Sequence, residues 1–333
     1  MFTRYLAENN VIGTGCDTAK NGDLILTYST LDGKRFMQSS DLFRTTKEEW
    51  TVPLGSITAN ANLIRLKDGR LMTIVRKISE DPDIASVNGA DYYTAFSEDE
   101  GRNFQMGSRI NSDSACYYLM NHRLLRTHTG RILLPVCYVP TELSNRDFFE
   151  KSGHSGCFFS DDEGSTWQKG KFTLSEDAGV DQLAEPMVVQ GTGNEVLMFM
   201  RTGYGYLYYS VSNDDGVTWS KAIPSSLRSP CAPFTVSFDP HSELFFAVWD
   251  NTFPGLTHQY PRSPICLAKS KDGIGWETLC ELDRDPMKGY GYPMLYFTEK
   301  EILITYYESP ERKFTKATHR LKLRLMEKSE LGI

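Results

Sequence analysis

Four residues in the second half of the chain carry side chains that could act on an acidic ligand. Glu185 and Arg201 stand at either end of a segment containing an apolar run. Arg262 precedes another apolar run, and Tyr292 follows in Gly289–Leu295. Arginine binds carboxylates through a permanent charge and a two-pronged fork. Carboxylates exchange protons, and tyrosine is among the side chains that form covalent intermediates. The alternatives are a surface Glu–Arg ion pair and a tyrosine ring packed near a central channel.

The elements that would position these residues are marked by a repeated sequence. The pattern Ser-x-Asp-x-Gly-x-x-aromatic occurs three times, at residues 97–104, 160–167 and 212–219. A shortened copy occupies residues 270–276, and Ser40 to Trp50 reads as a decayed first copy with an insertion. The mean spacing of about 57 residues fits close to six times into the chain, which suits a four-stranded unit with loops.

Six short apolar runs lie between these copies and end near Asp-Gly, Asn-Gly or Thr-Gly turns. They occupy residues 23–28, 70–75, 131–136, 195–200, 244–249 and 301–306. Their β-branched and aromatic content predicts strands, and no helical periodicity of similar length competes. We therefore predict an all-β fold, a six-bladed β-propeller with four-stranded antiparallel blades. No linker interrupts the chain, so residues 1–333 are expected to form one domain.

The repeated boxes resemble the Asp-box, or BNR repeat, of sialidases (neuraminidases) and related propellers, and the resemblance covers nearly the whole chain. In such a box the aspartate accepts hydrogen bonds from backbone amides, the glycine takes a positive φ and the aromatic ring wedges between sheets. Asp162 and Asp214 are therefore expected to be structural rather than catalytic. Asp-boxes also occur in propellers without enzymatic activity, so they indicate the fold better than the function.

The resemblance to sialidases also implies roles for the four residues. The order of Glu185, strand, Arg201 and Asp-box is similar to the sialidase segment that holds the assisting glutamate and the second arginine of a carboxylate-binding triad. Arg262 matches the third arginine. Tyr292 stands in the place of the tyrosine nucleophile, with Pro293 where the family usually has serine.

Two parts of the sialidase pattern are not found in their usual form. The first arginine normally lies in an Arg-Ile-Pro segment, but residues 10–17 contain no arginine. Arg76, or Arg123 together with His122, could face the substrate instead, although a His-Arg pair at a strand edge would equally serve solubility.

In sialidases the general acid lies on a loop after the first-blade strand. Asp32 is the aspartate nearest to that position. An ordinary Asp-Gly hairpin turn at Asp32 is the competing interpretation. Asp91 is the secondary candidate for the acid.

Composition limits the partners. The chain has 333 residues, of which 40% are hydrophobic and 24% charged, with a formal net charge of -7 and scattered basic residues. We expect no nucleic acid or membrane partner. Seven cysteines without metal-ligand spacing read as mostly buried, reduced thiols. No metal or nucleotide motif is present, so no cofactor is expected.

The expected function is that of an exo-acting glycosidase that cleaves a terminal acidic sugar with retention of configuration. Sialic acid or a related keto sugar acid fits the resemblance, and the missing first arginine leaves a uronic acid or other sugar open. The alternative class is a non-catalytic propeller that binds glycans or a protein. The N-terminus lacks the features of a signal peptide, which predicts a cytoplasmic protein, or a secreted or periplasmic one if a signal was removed.

Overall fold

Continuous apolar runs form the middle strands of six antiparallel sheets. The computed structural model describes residues 1–9, 11–30, 33–54, 61–79, 90–113, 115–139, 153–252, 262–310 and 318–333. In these residues five of the sheets consist of strands that are consecutive in the chain, and the sixth combines the last strands with the first. The predicted all-β, six-bladed propeller is confirmed.

The strands of the first three blades are as follows. The first blade contains β2 (Ile12–Thr18), β3 (Leu24–Thr30), β4 (Gly33–Ser39) and β5 (Glu48–Val52). The second contains β6 (Leu63–Arg65), β7 (Leu71–Ile78), β8 (Ala90–Ser97) and β9 (Gln105–Arg109). The third contains β10 (Cys116–Tyr118), β11 (Leu125–Arg126), β12 (Ile132–Val139), β13 (His154–Ser160) and β14 (Gln168–Lys169). Both β10 and β11 pair with β12, so the first strand of this blade is interrupted.

The last three blades are regular, and the chain's first strand completes the ring. The fourth blade contains β15 (Ala184–Gln190), β16 (Val196–Arg201), β17 (Tyr206–Ser212) and β18 (Ile223–Arg228). The fifth contains β19 (Thr235–Asp239), β20 (Leu244–Asp250), β21 (Ile265–Ser270) and β22 (Glu277–Asp283). The sixth contains β23 (Gly289–Phe297), β24 (Glu301–Ser309) and β25 (Arg320–Glu327), with β1 (Phe2–Glu8) paired antiparallel to β25. A short helix, α1 (Ser175–Ala178), and a 3₁₀ turn at Lys328–Leu331 complete the elements.

The hydrophobic core is divided among the interfaces between neighbouring blades. Every residue of β16 is buried, because both faces of that strand are covered. Six large apolar clusters each join two successive blades, represented by the pairs Ile25–Leu71, Ile74–Ile132, Leu133–Met198, Phe199–Ala247, Val248–Ile304 and Leu26–Leu323. Burial of one such side chain is worth about 1.5–3 kcal/mol, so each blade depends on its neighbours.

The Asp-boxes form tight turns of the expected kind. Asp162 accepts hydrogen bonds from the Ser160 hydroxyl and the Thr166 backbone amide, each at 2.8 Å. Gly164 has φ +83° and donates its amide to Ser160 Oγ at 2.8 Å. The same arrangement recurs around Asp99 and Asp214. The aspartates of these boxes are therefore held in turns, in accord with a structural role.

The decayed first copy begins one residue earlier than the sequence pattern indicates. Ser39, not Ser40, donates its hydroxyl to Asp41 at 2.7 Å. Phe43 stands where the other boxes have glycine, donating its amide to Ser39 Oγ at 2.9 Å with φ +60°. In the other boxes the serine that bonds the aspartate lies two residues before it, as Ser39 does here. Because Phe43 replaces the glycine, the sequence pattern alone did not show this register.

Six of the seven cysteines are buried and Cys280 is half-buried, and all are free thiols. Among the described residues, no helix is long and apolar enough to cross a membrane. In the same part of the chain, no group of three His, Cys, Asp or Glu side chains is arranged to hold a metal ion.

Candidate functional site

Glu185 and Tyr292 meet although they are 107 positions apart in the chain. The Tyr292 hydroxyl donates a hydrogen bond of 3.3 Å to Glu185 Oε1 in a buried environment. Glu185 belongs to the first strand of the fourth blade and Tyr292 to that of the sixth. The contact therefore joins two blades that are not neighbours in the ring, which places the pair at the centre of the propeller.

Both residues occupy the same kind of strained position. Glu185 has φ +46° and Tyr292 has φ +48°, values that non-glycine residues seldom adopt. In each case the strand register shifts, between Ala184 and Met187 in β15 and between Gly291 and Met294 in β23. Strained backbone of this kind is concentrated at functional sites, where the surrounding structure holds it.

The local sequence explains the two bulges. Glu185 lies in Ala-Glu-Pro-Met and Tyr292 in Gly-Tyr-Pro-Met, so a small residue precedes each and a proline follows. Proline has no backbone N–H to give to the strand ladder, and a bulge accommodates that loss. Pro293, which departs from the serine usual in sialidases, therefore has a counterpart in Pro186 of the fourth blade.

Arg201 forms a buried ion pair with Glu185. Its Nη1 lies 2.7 Å from Glu185 Oε2, and the two side chains are 1% and 3% exposed. Burial lowers the pKa of Arg201, but Glu185 first, and then Cys231 and Tyr292, raise it above its ordinary value. Glu185 thus uses one oxygen for Arg201 and the other for Tyr292.

Burial sets the protonation state of Tyr292. Burial first, and then the negative charge of Glu185, raises the pKa of Tyr292 above its ordinary value, against smaller opposing effects of Arg201 and Arg262. The resting side chain is a neutral phenol. For the Tyr292 oxygen to act as a nucleophile, its proton must move to Glu185 as the new bond forms.

Arg262 reaches the site just before β21, and a tyrosine that the sequence analysis did not identify holds it. The Arg262 guanidinium donates a hydrogen bond to the Tyr307 hydroxyl. Burial lowers the pKa of Arg262, but Tyr307 and other neighbours raise it above its ordinary value, while Arg201 acts in the opposite sense. Arg201 and Arg262 therefore lie close enough to repel each other, as two cations that bind one anion would.

Tyr307 connects Arg262 to the candidate nucleophile. Its ring centroid lies 5.8 Å from that of Tyr292, and it stacks on His319 at 4.2 Å with the planes 3° apart. Tyr307 pairs with Gly291 across the bulge in β23, as Arg201 pairs with Ala184 across the bulge in β15. This shared register position is visible only in the paired strands, so the sequence carried no signal that could have identified Tyr307.

Arg123 lies in the buried centre of the molecule. Nη1 contacts the Phe234 carbonyl at 3.2 Å and Met187 Sδ at 2.7 Å, and Nη2 has no hydrogen-bond partner among the described residues. Burial lowers the pKa of Arg123 to about 10, although Glu185 and Tyr292 counteract the effect. Arg123 is thus anchored to the fourth and fifth blades and is electrostatically coupled to the Tyr292–Glu185 pair.

His122 and Arg76 have contacts in other parts of the molecule. His122 Nδ1 accepts the Leu63 backbone amide at 3.4 Å. Burial, and then the charge of Arg123, lowers the pKa of His122 to about 4. Arg76, at the end of β7, is half-buried and hydrogen-bonded to Tyr92 of its own blade.

The candidate general acids are not brought to the pair by any described contact. Asp32 lies outside the described residues. Asp91 is buried in the second blade, where Arg109 and the Ser79 hydroxyl bond one of its oxygens at 2.6 and 3.1 Å.

Asp250, which the sequence analysis did not identify, is fully buried at the end of β20. Neither Asp250 oxygen has a hydrogen-bond partner in the described part of the chain. Burial raises the pKa of Asp250 well above its ordinary value, against a smaller effect of Arg262.

Comparison with known proteins gives one family and many similar folds. The model of the family described as BNR repeat-like domain matches residues 42–304. A Hadza microbial sialidase superposes with a TM-score of 0.73 at 17% identity over 96% of this chain and 66% of its own. An intramolecular trans-sialidase from Ruminococcus gnavus, solved with oseltamivir carboxylate, gives 0.69 at 13% identity over 99% and 98%.

A Trypanosoma rangeli sialidase solved with the inhibitor DANA gives a TM-score of 0.66 at 11% identity over 95% of this chain and 54% of its own. The chain thus spans about two thirds of the Hadza protein and about half of the trypanosomal one. At these identities the likeness concerns the fold.

Proposed function

Because the chain belongs to the BNR repeat-like family, whose model matches residues 42–304, we propose that the buried pair at its centre is a glycosidase site. The protein would be an exo-acting hydrolase that removes a terminal acidic sugar and retains the configuration at its anomeric carbon. The observation that carries the proposal is the hydrogen bond of 3.3 Å from the Tyr292 hydroxyl to Glu185 Oε1.

In the first step, Tyr292 Oη bonds to the anomeric carbon while the bond to the leaving oxygen breaks. The phenolic proton moves to Glu185 Oε1. An acid, for which we propose Asp32, protonates the leaving oxygen. In the second step, water attacks the anomeric carbon, its proton returns to that acid, and the Tyr292 oxygen leaves and recovers its proton from Glu185.

A neutral tyrosine suits an anionic substrate. A carboxylate nucleophile would approach the substrate's carboxylate with like charge, whereas a phenol that loses its proton only during attack avoids that repulsion. Arg201 and Arg262 supply positive charge beside it, and burial strengthens their attraction for an anion. Arg123 Nη2, which no described residue bonds, is the donor that we propose in place of the missing first arginine.

A second substrate class has its own support. Sialic acid binding in the family relies on three arginines, and residues 10–17 supply none. We therefore propose terminal acidic sugars as the class and include uronic acids in the test.

The proposal is tested by hydrolysis of fluorogenic glycosides of N-acetylneuraminic acid, its deaminated analogue and glucuronic acid. We expect wild type to release one of them and Tyr292→Phe to lose at least a hundredfold in kcat, since the nucleophile is removed. Tyr290→Phe is the matched control, because Tyr290 packs on Tyr306 rather than on Glu185. Undiminished activity in Tyr292→Phe would show that Tyr292 is not the nucleophile. Inactivity of wild type on every substrate would favour a non-catalytic binding protein.

A further inference from the structure

A buried asparagine beside the candidate site has an unused amide group. Asn121 is 2% exposed, and neither its Oδ1 nor its Nδ2 has a hydrogen-bond partner among the described residues. Buried polar side-chain atoms are bonded in the large majority of cases, so an amide with both atoms unpartnered requires an explanation.

The backbone of Asn121 shares the strained conformation of the two proposed catalytic residues. Its φ is +55°, close to the values at Glu185 and Tyr292. It lies where the innermost strand of the third blade is interrupted, between β10 and β11. Three blades therefore place a polar residue in the left-handed region at their inner edge.

The segment around Asn121 contacts the site from the third blade. Its neighbour Met120 packs against the rings of Tyr292 and Tyr307. Two residues beyond Asn121, Arg123 is electrostatically coupled to Glu185 and Tyr292. This segment forms part of the wall around the Tyr292 ring.

The main chain of Asn121 is held firmly from the second blade. Its carbonyl accepts hydrogen bonds from the Asn62 side-chain amide at 2.8 Å and from the Ala61 backbone amide at 3.3 Å. The main chain that carries this side chain is thus fixed by bonds that do not involve the side-chain amide. Little ordering of the backbone is then needed when the amide binds a ligand.

We propose that the Asn121 amide is a further sugar-binding group of this site and that it bonds a neutral substituent of the bound acidic sugar. A carboxamide offers a donor and an acceptor side by side, which matches a sugar hydroxyl or an acylamino group. Arg123 Nη2 supplies a charged donor from the same segment. The inference rests on the proposed sugar-binding function but does not require that the sugar be cleaved.

The test uses Asn121→Gly, which removes the amide and keeps the left-handed backbone that glycine adopts freely. Asn9→Gly is the matched control, since Asn9 has φ +66° and is exposed. Asn121→Asp keeps the shape but replaces the donor by an acceptor with negative charge. Binding of DANA, its deaminated analogue and glucuronic acid is measured by calorimetry, with the thermal midpoint of each variant recorded.

We expect Asn121→Gly to lower the affinity for the best-bound sugar at least tenfold while its thermal midpoint stays unchanged. Asn9→Gly should bind the sugar as wild type does. Asn121→Asp should lower the affinity for an acidic sugar further. If the glycine variant does not fold, the affinity of Asn121→Asp tests the proposal instead. A larger loss for DANA than for its deaminated analogue would assign the contact to the acylamino group, and equal losses would assign it to a hydroxyl.

Wild-type affinity in Asn121→Gly would overturn the inference and leave the proposed hydrolase intact. Binding that depends on Asn121 in a protein without hydrolytic activity would support the inference and reject the proposed catalysis. A wild-type protein that binds none of the three sugars would overturn both.

Discussion

Glu185 carries out two tasks at the residue scale. One oxygen faces Arg201 at 2.7 Å and the other accepts the Tyr292 hydroxyl at 3.3 Å. The arginine stabilises the carboxylate in a place where burial alone would disfavour a charge. In the proposed mechanism, the phenolic proton would neutralise Glu185 during attack and leave the charge of Arg201 available to an anionic substrate. The proposed base and the proposed carboxylate-binding arginine would then act through one side chain.

The imidazole of His122 gives a stability prediction with a defined sign. Its pKa is about 4 in the folded protein, against an ordinary value of about 6.5. Between these values the unfolded chain binds a proton that the folded protein does not. The contribution of the neutral His122 imidazole to the free energy of unfolding is therefore complete above pH 6.5. It is lost as the pH falls towards 4, and it amounts to about 3 kcal/mol at most.

Urea unfolding at pH 7.5 and 4.5 measures this contribution. We expect the stability of wild type to fall more between the two pH values than that of His122→Gln, by about 2–3 kcal/mol. His128→Gln is the control, because His128 is exposed and should keep the wild-type difference. Equal pH dependence in wild type and His122→Gln would show that His122 titrates normally in the folded state.

At the element scale, the Asp-box turns of the second to fifth blades each pack against the preceding blade. Gly216 of the fourth-blade box has φ +84°, and a Cβ there would lie 2.7 Å from both Cδ atoms of the buried Leu133 in the third blade. The box glycine therefore serves two purposes. It allows the left-handed turn and it lets two blades approach closely.

Alanine at two glycines separates these purposes. Gly22 has φ +86°, and a Cβ added there would have no atom within 4 Å, so Gly22→Ala should cost only the backbone strain, about 1–2 kcal/mol. Gly216→Ala adds the overlap with Leu133 and should cost about 2–5 kcal/mol. Denaturant midpoints of the two variants and wild type make the comparison. Equal losses would mean that the blade interface yields without cost.

The elements also show where sequence reasoning succeeds. The boxes and the six apolar runs are local signals, because a turn needs its Ser, Asp and Gly at fixed spacing and a doubly covered strand needs continuous apolar residues. The bulges at Glu185 and Tyr292 depend on register between paired strands, which the sequence does not display. Their common X-Pro-Met pattern is visible, but its meaning becomes clear only when both prolines lie at equivalent positions.

At the scale of the whole molecule, the ring brings together residues far apart in the chain. The candidate site takes Arg123 from the third blade, Glu185 and Arg201 from the fourth, and Tyr292 from the sixth. The strand β1 pairs with β25 and completes the sixth blade, so the position of Tyr292 depends on both ends of the described chain. No single blade contains the site.

This distribution explains what the sequence could predict about the site. Glu185, Arg201, Arg262 and Tyr292 could be proposed from their order because blades follow one another along the chain. Tyr307 and Asn121 could not, since each is defined by what lies beside it from another blade. The pairing of Glu185 with Arg201 was one of the alternatives considered, but it was expected at the surface, and the structure buries it.

Trapping the proposed bond between the Tyr292 oxygen and the anomeric carbon would show whether Tyr292 is the nucleophile. A fluorinated glycosyl fluoride of the preferred sugar forms the covalent intermediate faster than that intermediate is hydrolysed, so the intermediate accumulates. After tryptic digestion, the site peptide spans residues 289–300 and contains Tyr290, Tyr292 and Tyr296, which tandem mass spectrometry distinguishes. We predict the mass of one sugar on Tyr292. A sugar attached to a carboxylate such as Glu185, or turnover of the substrate with no labelled tyrosine, would show that Tyr292 is not the nucleophile.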